Sequence, residues 1–113
     1  MTRTLFVDVF QSTFLDVQRR LGLTHYCITF VDVPLPDIYA DIYVEAEDCI
    51  ATVRYDSDRC SKDGVTEATA IHEVLHLLLA DFKAATKSSA RVEEERIVRR
   101  LEPIVIRGIE AGD

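Results

Sequence analysis

With 113 residues the chain has room for one hydrophobic core, so residues 1–113 read as a single domain. Apolar residues make up 48% and charged residues 29%, an ordinary globular balance, and runs such as Leu77 to Ala80 are far too short to span a bilayer. The net charge of −7 argues against non-specific nucleic-acid binding, which demands a surplus of Lys and Arg. The Arg-bearing segments (Arg19-Arg20, Arg96, Arg99-Arg100, Arg107) are interleaved with acids, as on solvated helix faces.

The N-terminal residues Met1-Thr2-Arg3-Thr4-Leu5 lack the long apolar core of a secretory signal, which gives the expectation of a cytoplasmic protein with no membrane partner. The three cysteines, Cys27, Cys49 and Cys60, cannot all pair within one chain and have no CxxC spacing, so reduced thiols are expected.

In chain order, Phe14, Leu15, Val17 and Leu21 recur at helical spacing, which predicts a first helix over Ser12 to Leu21 capped by Ser12 or Thr13 and stopped by Gly22. Tyr26 to Val33 is β-branched and aromatic and ends at Pro34 and Pro36, a first strand. Ile42 to Glu47 and Cys49 to Tyr55 read as a hairpin about an acidic turn. Ala51, Val53 and Tyr55 alternate there with Thr52 and Arg54, the pattern of a half-buried strand and a candidate sheet edge. Asp56 to Gly64 reads as a polar loop leading to a helix capped by Asp63 or Thr66. Val65 to Lys83 is apolar around much of its circumference and should form a buried central helix. A last helix is expected from Ala90 to Gly108, kinked or divided at Pro103. The result is an α+β fold: helix, three-stranded mainly antiparallel sheet, central helix, last helix.

The central helix carries His72-Glu73-Val74-Leu75-His76, an HExxH. Residues four apart share a helix face, so both imidazoles can reach one metal ion, Zn2+ above all. Glu73 lies beside them and can reach a metal-bound water without ligating the metal. Three polar side chains inside an apolar helix cost several kcal/mol unless satisfied, and a metal would satisfy them.

Two histidines need a third protein ligand to complete a zinc site. No histidine follows His76, and Ala80-Asp81-Phe82 stand in the stretch where HExxHxxGxxH would continue, which excludes that form. His25 is distant in sequence, just before the first strand, and reads as a surface or core-edge histidine. The better source is the Glu93-Glu94-Glu95 cluster opening the last helix. The apolar stripe there is Ile97, Val98, Leu101 and Val105, and Glu94 lies three before Ile97 and four before Val98, which aims it most centrally. Glu95 and then Glu93 are the alternatives, and all three acids are equally suited to the helix dipole.

HEVLHLLLADF at residues 72–82, followed by EEERIVRRL at residues 93–101, resembles the gluzincin branch of the zincin-like metallopeptidases, in particular minimal cores of small bacterial and phage-encoded proteins. Beyond the motifs, the chain matches as an order of elements. The resemblance implies a zincin-like minimal core, zinc held by His72, His76 and Glu94, and a peptide or protein substrate. It also implies Glu73 as the general base that takes a proton from zinc-bound water and hands it to the leaving amine. The strand Cys49 to Tyr55, as an edge, would hold an extended peptide by backbone pairing.

Two departures stand out. Many relatives carry Asn or Asp one turn after the ligand Glu, where this chain has Val98. A second histidine to stabilise an oxyanion is also missing, with Tyr55, Tyr43 and Tyr39 as substitutes. Two functional expectations follow: a zinc-dependent metallopeptidase acting in a bacterial or phage-infected cell, and a non-catalytic zincin-like interaction module serving as adaptor or inhibitor.

Overall fold

The computed structural model describes residues 8–86, 98–99 and 101–108. Its elements are α1 (Val9–Arg20), β1 (Cys27–Asp32), β2 (Ala40–Glu45), a 3-10 turn (Ala46–Asp48), β3 (Ile50–Tyr55), α2 (Ser57–Lys62) and α3 (Thr66–Thr86). Residues 98–99 and 101–108 are also helical, and we call this last segment α4. The architecture is α+β.

The first helix starts three residues before the expected Ser12, because Asp8 and neither Ser12 nor Thr13 is the cap: its carboxylate accepts the Gln11 N–H. Gly22, at φ +73°, takes the left-handed turn that follows Leu21. The loop expected at Asp56 to Gly64 contains a helix. Asp56 caps α2 by accepting the Arg59 N–H, and Asp32 of β1 accepts from both the amide and the hydroxyl of Ser57. Asp63 closes α2, where its carboxylate accepts the Tyr39 hydroxyl, and so does not cap α3. Thr66 is the first residue of α3 and the Val65 carbonyl accepts the Thr69 N–H, so Thr66 is not the cap either.

The sheet order is β1-β3-β2, with β3 parallel to β1 and antiparallel to β2. The sheet is therefore mixed rather than mainly antiparallel, and Cys49 to Tyr55 contributes its central strand rather than an edge. The cause lies in the loop between β1 and β2. Pro34 and Pro36 forbid a tight hairpin, and the chain is carried instead across the end of β3. There Leu35 N–H donates to the Asp56 carboxylate, Arg59 donates to the Leu35 and Pro36 carbonyls, and Asp56 N–H donates to Tyr39 O. The short β2–β3 connection closes through Cys49 in the left-handed region, at φ +55°.

One face of the sheet builds the core. Phe30, Val53 and Ile42 lie in one cross-strand row and Ile28, Ala51 and Val44 in another, all packed into the core cluster. Helix α1 covers the β1–β3 side: Phe10 stacks on Tyr55 at 4.2 Å between ring centroids, and Phe14 meets Phe30 edge-on at 5.3 Å. Helix α3 packs beside α1 and over β2. Its Ala70, Val74, Leu75 and Leu77 are buried, as the expected central helix requires. Val98 is fully buried, and Leu101 and Val105 are partly buried against the same core, so three members of the predicted stripe do face inward. The run 101–108 stays helical through Pro103, which does not divide it.

Candidate metal centre

The HExxH sits in the first half of α3, supported from below by the apolar residues just named. His72 and His76 are one turn apart, and their Nε2 atoms lie 3.2 Å from each other. Two nitrogens on one tetrahedral zinc at Zn–N distances of about 2.0–2.1 Å are separated by roughly 3.3 Å. The pair is thus at a spacing that two ligands on one ion would share and that a direct hydrogen bond between the rings also gives, and two imidazole nitrogens are donors that suit zinc. Glu73 is 5% exposed and is the one charged residue buried among the described residues.

The other end of the His72 ring meets α4. Its Nδ1 lies 3.1 Å from Oε2 of Glu102, and both side chains are largely sheltered, at 19% and 25% exposure. Glu102 is the residue that sequence reasoning missed. A usable signal was present: Glu102 follows the buried Val98 by four positions and adjoins Leu101, which places it on the flank of the core-facing stripe.

The third-ligand expectations, Glu93, Glu94 and Glu95, lie outside the described residues, as does Ile97. Among the described residues, no group of three His, Cys, Asp or Glu side chains has the arrangement of a metal site.

The other singled-out residues fall elsewhere. A ring nitrogen of half-exposed His25 is 3.4 Å from Asp81, which also accepts the Tyr26 hydroxyl, five residues beyond His76. Tyr55 is buried, and its hydroxyl donates to Asp8 and accepts from Gln11, so it packs in the core and holds the capping Asp8 at the start of α1. Burial, followed by the Asp8 contact, pushes that phenol well above its ordinary range. Tyr39 is committed to Asp63, and Tyr43 is 66% exposed. Tyr43 pairs with Thr52 on the sheet face opposite the core rows.

All three cysteines are free thiols. Cys60 lies in α2, fully buried, with its Sγ 3.9 Å from the Tyr39 carbonyl and its thiol pushed up by desolvation, which makes it a packing residue. A groove of about 750 Å³ between α1, the start of α3 and Ile106 is lined by Thr13, Asp16, Glu67 and Ile71, and by none of the HExxH residues. No helix among the described residues is long and apolar enough to cross a membrane.

Compared with protein-family models, with curated proteins and with solved structures, the chain matches none.

Proposed function

We propose that the chain is a zinc-dependent metallopeptidase of gluzincin type with a zincin-like minimal core, acting on a peptide bond in a protein partner inside a bacterial or phage-infected cell. The observation that carries this reading is the His72–His76 pair, with Nε2 atoms 3.2 Å apart beside a buried Glu73. In it, His72 and His76 supply two ligands and Glu94 the third, with Glu95 and Glu93 as alternatives. Zinc held there acidifies water and polarises a carbonyl.

The remaining steps belong to the chain's own groups. Glu73 takes a proton from the attacking water and returns it to the leaving amine as the peptide bond breaks. Its burial shields that proton from bulk water. Substrate is held by strand pairing, but the strand differs from the one first expected. Helix α3 packs over β2, an edge strand, whereas β3 has neighbours on both sides. An extended peptide therefore adds to the outer side of β2, near the HExxH helix.

The second reading, a non-catalytic zinc-binding adaptor or inhibitor, shares the metal and dispenses with Glu73. Substituting Glu73→Gln separates them. As a peptidase the variant keeps one zinc per chain and loses proteolysis of a peptide library by at least about 100-fold, the usual scale of a general base. Library cleavage unchanged by Glu73→Gln rules out the catalytic mechanism.

A further inference from the structure

We infer that Glu102 is a positioning residue for His72, fixing its tautomer and ring orientation from a second helix, and is not the third metal ligand. The inference rests on the metal-centre reading above and adds a residue to it.

The His72 imidazole has a partner at each end of the ring. Nδ1 of His72 is 3.1 Å from the Glu102 carboxylate, while Nε2 is 3.2 Å from His76 Nε2. A carboxylate only accepts hydrogen bonds, so Nδ1–H donates to Glu102, and in the neutral ring the Nε2 lone pair is then left on the His76 side. That is the tautomer a metal ligand at Nε2 requires. The same geometry argues against Glu102 as a ligand: the oxygen that holds Nδ1 is at the far end of the ring from the atom that would bind the ion.

Position and burial give the contact its force. His72 belongs to α3 and Glu102 to α4, thirty positions apart, so the ring is braced from outside its own helix. Leu101 and Val105 pack into the core and share one face of the helix, with Glu102 on the flank of that face. At 19% and 25% exposure, water competes weakly for the pair. Loss of such a carboxylate partner on the remote N–H costs about 10–100-fold in metal affinity.

The test uses the full chain with Glu102→Gln and Glu102→Ala. Zinc affinity is read by competition with a chelating dye, and the His72 tautomer by 15N NMR of the metal-free protein. Wild type should show the Nδ1–H tautomer at His72, and Glu102→Ala should lose that preference and bind zinc about 10–100-fold more weakly. Glu102→Gln keeps an acceptor of the same shape, so it should keep the tautomer and recover part of the affinity. It also supplies the result if the Ala variant does not fold.

Equal affinity and an unchanged tautomer in Glu102→Ala overturn the proposal. Zinc binding abolished as completely as in His72→Ala makes Glu102 a ligand and overturns it too. Wild type that binds no zinc is a failure of the metal-centre reading alone, because the tautomer measurement still decides what Glu102 does.

Discussion

Asp56 shows how much one side chain can organise outside the site. Its carboxylate accepts the Leu35 amide across the β1–β2 loop and the Arg59 amide at the head of α2. These two bonds, Leu35 first, hold its pKa below the usual carboxylate value. A depressed folded pKa gives stability that is complete above the unfolded carboxylate value and is lost as pH falls through the lowered folded one. Asp56→Asn should therefore destabilise the protein at neutral pH, and the gap from wild type should narrow as pH drops below the carboxylate range. Urea unfolding at several pH values measures it, and a gap that stays constant with pH contradicts the assignment. The site residues divide at the same scale. The shared face of His72 and His76 was legible because HExxH is a local pattern in which spacing alone implies it. Glu102 was not, because its partner is thirty positions away and only the packing of α4 brings them together.

Among the elements, α3 was the easiest to read and β3 the hardest to place. The apolar character of Val65 to Lys83 survives in any fold that buries the helix, and its interior bears this out: Ala70, Val74, Leu75 and Leu77 are all at most 1% exposed. Leu75→Ala should cost about 2–5 kcal/mol in chemical denaturation, the range for a large core aliphatic. A cost below about 1 kcal/mol, typical of surface sites, would mean that α3 is not the buried helix described here. In β3, alternation was read correctly: Ala51, Val53 and Tyr55 are buried and Arg54 is exposed. Its place in the sheet was not legible, since an edge strand and a central strand with one covered face share the same alternation. Helix α2 was missed because its six residues, SDRCSK, form no apolar stripe. Its order comes from Asp56 and Asp32, residues outside the helix.

For the whole molecule, the class α+β followed from the sequence, while α2 and the mixed sheet depended on contacts and a crossing that no local signal encodes. That crossing puts β2, not β3, at an edge beside the HExxH helix. The central claim is that His72 and His76 are two-thirds of a zinc centre completed by a glutamate of the 93–95 cluster. The most direct measurement is zinc stoichiometry by native mass spectrometry of the full chain, compared with His72→Ala, Glu93→Ala, Glu94→Ala and Glu95→Ala. The account predicts one zinc per wild-type chain, none in His72→Ala, and loss in one glutamate variant, with Glu94→Ala first. Wild-type protein that stays metal-free after reconstitution with excess zinc would contradict it, and would leave His72 and His76 as a hydrogen-bonded pair inside the helix.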